Sequence, residues 1–275
     1  MKFKESILLV SLASLVSFSS CKKQDEQSEG ASMKVEAPAQ TKVVSTEVKM
    51  ASAPWINKPT NEWPQIVLTN DAEFEGDRWL SGASSFLVEN SKGDVFLASV
   101  DHLLGPAGGV SPRISQSVFD EQLISWVSYP RTKPENAINI LNVAGAGEQR
   151  PNSDWLLLRI KPGQKLNAAP LKLSTKKVKQ GDKVYLIGVP YSDADSAQNV
   201  YEGVVTRVDR FTFRYDLKPH VELPGFSGAP IVNSEGHMVG VMSVNFRPKM
   251  SGDFYKEGGA QNVRSIHFIL EKSKP

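Results

Sequence analysis

The segment from Pro224 to Val232, PGFSGAPIV, sets a serine between two glycines. Gly225 and Gly228 flank Ser227, and glycine tolerates the backbone angles that let two nearby N–H groups point at one spot. Such a spot stabilises a developing oxyanion, and in acyl transfer the nucleophile's own N–H is well placed to contribute. The chemistry open to this run is attack by the Ser227 hydroxyl on an acyl carbon, with the N–H groups of Gly225 and Ser227 as the oxyanion hole. A serine hydroxyl is a poor nucleophile at neutral pH, so that chemistry requires a base within hydrogen-bond reach. Glycine and serine are also ordinary turn residues, and the run by itself specifies only a tight loop.

Other chemistries find little support. The four histidines, His102, His220, His237 and His267, lie far apart without the paired spacings of zinc sites, so no metal is expected. The single cysteine, Cys21, excludes an intramolecular disulfide and any multi-cysteine metal site. Lys and Arg number 32 against 30 for Asp and Glu, with no basic block, which argues against a nucleic-acid partner. No cofactor is expected.

The elements that must position Ser227 read as short strands. From Trp63 onward, brief apolar or alternating runs are punctuated by Gly, Pro, Asn and Asp. Strands are expected over residues 83–88, 95–100, 123–127, 154–160, 183–189, 203–208, 230–232 and 238–244, with a turn at 233–236 making the last two a hairpin. Strands at this density without long helices indicate an all-β sandwich or barrel. Residues 265–272 place Ile266, Ile269 and Leu270 at helical spacing and predict a short terminal helix. Phe86, Trp126 and Trp155, on strand-like runs, are expected in the core.

The Ser227 segment resembles the G-x-S-G-[GA]-P nucleophile motif of trypsin-like serine proteases, and its strand-turn-strand continuation with a Val-Gly-Val step resembles theirs too. VFLASVDHLL, residues 95–104, resembles the strand that ends in that family's catalytic histidine. NSDWLLLRI, residues 152–160, resembles its aspartate followed by aliphatic residues. Residues 181–190 and 199–209 resemble the strands before the nucleophile in HtrA-like and other bacterial trypsin-like domains. The order His, Asp, Ser, at spacings of 52 and 73 residues, suits a compact member of the family.

The resemblance implies two antiparallel six-stranded β-barrels of the chymotrypsin type with the cleft between them. It also implies a serine endopeptidase acting on polypeptides through an acyl-enzyme. Ser227 would be the nucleophile, His102 the base and Asp154 the residue that orients the imidazole. Val221, six residues before Ser227, would lie at the base of the primary specificity pocket, beside His220 and Glu222. Ser243, Val244 and Asn245 would form the opposite wall, which suits a small or apolar side chain before the scissile bond. Two departures stand out: Val100 and Asp101 replace the small residues that usually precede the histidine. An alternative is a trypsin-like domain that binds peptides without turning them over.

Ahead of the domain, residues 1–20 read as an export signal: Lys2 and Lys4, an apolar stretch from Ile7 to Phe18, then Ser19 and Ser20. The stretch is too short to span a bilayer. Phe18-Ser19-Ser20-Cys21 resembles the lipobox of bacterial lipoproteins, which implies lipidation at Cys21, an anchor in a bacterial cell membrane, and an envelope location, with the outer membrane favoured. Residues 21–61 are polar and rich in Lys, Glu, Gln, Ser, Ala and Pro, and are expected to form a disordered tether to a peptidase domain over 62–275.

Overall fold

The computed structural model describes residues 50–145, 153–246 and 257–275. Cys21, the export signal and the tether up to residue 49 lie outside them. Strands dominate, as the turn-rich sequence requires. β1 (Val67–Phe74), β2 (Arg78–Glu89), β3 (Val95–Val100), β4 (Leu123–Tyr129), β5 (Ile138–Val143) and β6 (Trp155–Ile160) form the first sheet. Its order is β1-β4-β5-β6-β3-β2, and pairing of β1 with β2 closes it into a six-stranded antiparallel barrel. A two-residue strand, β7 (Leu171–Lys172), runs parallel to the end of β2. The second barrel comprises β8 (Lys183–Gly188), β9 (Asn199–Val208), β10 (Thr212–Leu217), β11 (Pro230–Asn233), β12 (Met238–Phe246) and β13 (Glu257–Asn262). These close in the order β10-β13-β12-β11-β8-β9. Among the described residues helical segments are short, the longest being the six-residue helix His267–Lys272 near the C-terminus. Among the described residues no helix is long and apolar enough to cross a membrane.

Side-chain alternation shows which way each strand faces. β10 alternates strictly, with Phe213, Tyr215 and Leu217 buried and their neighbours half-buried, the pattern of a strand with one face in a core. β6 departs from alternation because Trp155 to Leu158 are all buried. Its second face is covered by the C-terminal segment: the Trp155 indole N–H donates to Ser265 Oγ at 2.7 Å. Ile269 lies so close to Gly145 that any side chain there would overlap it. Phe86, Trp126 and Trp155 are fully buried, as their strand positions predict.

Of the register shifts that interrupt the ladders, one in each barrel bears on the site. Leu68 pairs with Ser85 and Asn70 with Gly82, so β2 carries Ala83 and Ser84 where β1 has only Thr69. Met242 pairs with Ala260 and Val244 with Gly259, so Ser243 is an extra residue in β12. A bulge frees backbone groups from the ladder and re-aims a side chain.

The start of the domain differs from expectation. Composition assigns residues 50–61 to the tether, yet the packed chain reaches back to Ala51. Ala53 N–H donates to Glu235 O at 2.8 Å, and His237 Nε2 lies 3.0 Å from Ala51 O. Ile56 and Trp63 are buried, and the Trp55 and Trp63 rings meet edge-on at 4.8 Å. Trp55 and Ile56 in a polar, proline-rich stretch give no periodic signal; the turn at Gly236 and the Trp63 ring, itself packed on Tyr185, provide the surface for them.

Candidate active site

The chain leaves β3 at Val100 and enters a single 3-10 turn, Asp101–Leu104, which carries His102. The turn is pinned where it starts: Asp101 N–H donates to Asp154 O at 2.9 Å, and His102 N–H donates to Asp154 Oδ1, also at 2.9 Å. With the backbone fixed, the imidazole Nδ1 meets Asp154 Oδ2 at 2.7 Å. Asp154 immediately precedes β6, next to β3 in the sheet, and Val100 is registered against Trp155. His102 and Asp154 are 52 positions apart in the chain and adjacent because two neighbouring strands end side by side. Both side chains are partly buried, at 25% and 18% exposure, enough to shield the contact and still open the ring to a ligand.

A third group joins them from the second barrel. Ser243, the extra residue of the β12 bulge, donates its hydroxyl to Asp154 Oδ2. The Asp154 carboxylate thus receives the His102 backbone N–H, the His102 ring and the Ser243 hydroxyl, which fixes its orientation from both barrels. Sequence reasoning places Ser243 in a pocket wall and misses this contact. The available signal was a small hydroxyl residue closing the apolar run Met238 to Met242.

Asp101, one of the two departures from the family pattern before the histidine, is turned toward its own partners. Its carboxylate pairs with Arg113 and accepts from Gln116 Nε2 at 2.8 Å, and the same Gln116 nitrogen reaches Trp155 O at 3.0 Å. The extra acid is therefore neutralised locally and braces the turn that carries His102.

Ser227 sits on the loop between β10 and β11, half-buried, with the loop docked on the first barrel by the β2 bulge. Ser84 N–H, freed from the ladder, donates to Ser227 O at 2.8 Å, and Ser84 Oγ donates to Gly225 O at 2.9 Å. On the other side Gly228 N–H donates to Met242 O at 2.9 Å, one residue before Ser243. Gly228 adopts φ +86°, and a methyl group there would overlap the Ser84 carbonyl and come within 2.5 Å of Ser99 Oγ. Ser99 lies on β3 three residues before His102, so the serine loop and the histidine turn are built on the same strand.

Gly225 adopts φ +103°, with the space of a side chain taken by Tyr191 N at 2.8 Å and Val189 O at 2.9 Å. Phe226 N–H, Gly228 N–H and Ala229 N–H are tied to Leu223, Met242 and Phe226 carbonyls. The N–H groups of Gly225 and Ser227 have no backbone acceptor among the described residues. Of the amides from Gly225 to Ala229, these two are the ones left without a backbone acceptor. No hydrogen bond joins Ser227 Oγ to His102 among the described residues.

Of the residues expected in the specificity pocket, Val221 is half-buried against the second core, Val244 is 45% exposed, and Asn245 continues β12 opposite Gly258. His220 faces Asp216, with Nδ1 3.5 Å from its carboxylate. Among the described residues no three His, Cys, Asp or Glu side chains gather as a metal site would require.

Comparison with known proteins bears on this geometry. The family model for a trypsin-like peptidase domain matches residues 83–241, which include His102, Asp154 and Ser227. The Rv3671c protease of M. tuberculosis in its active form has a similar structure, with a TM-score of 0.53 and 15% sequence identity. That match covers 82% of this chain and 90% of the other. The inactive form of the same protease gives 0.49 at 14% identity, over 82% and 98%. At 15% identity the likeness to the active form speaks for the fold alone. No curated protein sequence matches.

Proposed function

This chain belongs to the trypsin-like peptidase family, and we propose that it is a serine endopeptidase whose catalytic groups are Ser227, His102 and Asp154. The observation that carries the reading is the grip of the Asp154 carboxylate on the His102 ring, closed from behind by Ser243, beside a loop that keeps two amides unspent. With Nδ1 committed to Asp154, Nε2 is the nitrogen left to take a proton. The Ser227 hydroxyl adds to the peptide carbonyl as His102 Nε2 accepts its proton, and the Gly225 and Ser227 amides bind the oxyanion. The C–N bond then breaks as His102 returns the proton to the leaving amine, and water repeats the sequence on the acyl-enzyme. Asp154 holds the ring in the productive tautomer and stabilises the imidazolium.

We further propose that the enzyme is exported and lipid-anchored at Cys21 to a bacterial cell membrane, with the chain before residue 50 as its tether. Incorporation of a palmitate analogue into the wild type and its loss in Cys21→Ser is the expected outcome.

A rival reading, a peptide-binding domain without turnover, draws on the missing hydrogen bond between Ser227 and His102. Unliganded sites often tighten that contact only when substrate binds, so the bond's absence does not outweigh the His102–Asp154–Ser243 arrangement. Labelling by a fluorophosphonate separates the two. Wild type should label and Ser227→Ala should not; a folded wild type that fails to label favours the rival.

A further inference from the structure

A cleft opens on the first-barrel side of the Ser227 loop, walled by Gly82, Ala83 and Ser84 of β2, by Gly225, and by the side chains of Tyr191 and Arg131. Its volume, open mouth included, is about 330 Å³. Gly225 is also the residue whose amide faces the oxyanion in the proposed mechanism, so the cleft adjoins the reacting carbonyl. The expected pocket for the acyl side, at Val221 and Val244, belongs to the second barrel. The two halves of a peptide lie on opposite sides of the nucleophile, which assigns the first-barrel cleft to the leaving half.

The polar groups of this cleft are unevenly used. The β2 bulge leaves Ala83 N–H without a ladder partner, and the Tyr191 hydroxyl accepts it at 2.9 Å. The Tyr191 ring also lies against Gly82, where a side chain would come within 3.0 Å of it. Arg131 donates one guanidinium hydrogen, from Nη1 to Pro190 O at 3.0 Å, and forms no ion pair among the described residues. Asp71, on β1 beside β4, is committed elsewhere, to the hydroxyls of Ser81 and Tyr129. Asp193, on the loop after Tyr191, is likewise taken up by Ser196 N–H and Asn199 Nδ2. A guanidinium anchored by one carbonyl keeps several donors for a planar anion, and a partly enclosed cleft strengthens the attraction.

We propose that Arg131 is a specificity-determining residue that binds a carboxylate in the leaving half of the substrate, supplied by an acidic side chain or by the chain terminus. The inference rests on the peptidase reading and names the substrate feature that reading leaves open.

The test compares kcat/KM for paired peptides that carry Glu or Gln in the leaving half, each made with a free or an amidated C-terminus. In the wild type one carboxylate-bearing member of a pair should be preferred about tenfold, the lower end for a charged hydrogen bond, and the preference should shrink as salt rises. Whether the Glu or the free terminus carries the preference identifies the source of the carboxylate. Arg131→Gln should bring the ratio to about one, Arg131→Lys should retain part of it, and Arg131→Glu should favour Lys-bearing peptides. A purely structural role for Arg131 at Pro190 would change both members of each pair alike. Equal use of both members by a wild type that labels with fluorophosphonate, or a ratio unchanged in Arg131→Gln, overturns the inference. A folded wild type that neither labels nor cleaves any peptide overturns the peptidase reading and this inference with it.

Discussion

The two barrels follow the same strand plan and treat their polar groups differently. In the first, Asn70 is fully buried and knits three strands together. Its Oδ1 accepts from Ser128 Oγ at 2.8 Å and from the Trp126 indole at 3.3 Å, and its Nδ2 donates to Gly82 O at 3.3 Å. Around it pack Phe74, Phe119 and Trp126 with their rings tilted or edge-on. In the second barrel the core is smaller, and Tyr215 is buried with no hydrogen-bond partner for its hydroxyl among the described residues. The first barrel supplies His102 and Asp154, whose directions depend on side-chain hydrogen bonds. The second supplies the Ser227 loop, whose shape depends on backbone angles and whose Gly225 and Ser227 amides, the proposed oxyanion donors, have no backbone acceptor among the described residues. A group meant to bind a transition state cannot also be a tie of the fold, so the acid–base half is best built on a satisfied network. The amide half is best built on glycines held from outside.

Asp154→Asn is expected to have the largest effect. If the first barrel contributes ring orientation, turnover should fall about 10⁴-fold, the magnitude this substitution has in a worked serine protease triad, while the fold persists. Steady-state kinetics with a thermal melt reads both, and a loss under tenfold would break this division of labour between the barrels.

Next comes Gly228→Ala. A methyl group overlapping Ser84 O at φ +86° should cost about 3 kcal/mol or more and abolish labelling. Gly93, at φ +88° with nothing within 4 Å, separates strain from clash: its alanine variant should lose only about 1 kcal/mol. Denaturant midpoints for the pair decide the point.

In the first barrel, Asn70→Leu leaves the Ser128 hydroxyl without its acceptor and the Trp126 indole with Ser128 Oγ alone, and should cost about 2 kcal/mol. Equal stability in urea would show that the network orients without stabilising.

Tyr215→Phe should have the smallest effect and the opposite sign, neutral or stabilising by up to about 1 kcal/mol, because it removes an unpaired buried hydroxyl. Burial pushes this phenol well above its ordinary value. The unfolded chain therefore ionises first, and stability held below pH ~10 is lost as the pH rises through the folded value. The phenylalanine variant should show a shallower decline at alkaline pH in midpoints taken at pH 8 and pH 11. Part of the remaining decline is due to Tyr129, which burial and the Asp71 hydrogen bond hold at about 12.

The runs read as strands from apolar content, such as 95–100 and 183–189, coincide with β3 and β8 to within a residue. The strands that escaped notice explain themselves. β1 carries Asn70 and Asp71 in its middle, and those groups are buried or half-buried only because Trp126, Ser128 and Tyr129 satisfy them. β13, EGGAQN, has almost no strand propensity, yet it pairs because its glycines make room for Tyr215, whose ring occupies the space a side chain at Gly258 would need. The three proposed catalytic residues were legible through motifs on loops and strand ends. Ser84 and Arg131, which dock the loop and line the cleft, lie in stretches without any motif, and their importance comes from a bulge and a neighbour far along the chain.

Amino-acid order alone determined much of the local vocabulary: the apolar runs that became strands, where glycine would permit unusual angles, and which histidine, aspartate and serine to propose for the chemistry. Such properties depend on a residue and its near neighbours. Tertiary structure decided that Ser243 turns its hydroxyl to Asp154, that Asp101 is neutralised by Arg113, and that residues 50–61 belong to the packed domain. Each depends on how the chain packs: Ser243 meets Asp154, and Ala53 meets Glu235, only when distant segments come together, and Arg113 reaches Asp101 by the path of the loop that follows β3.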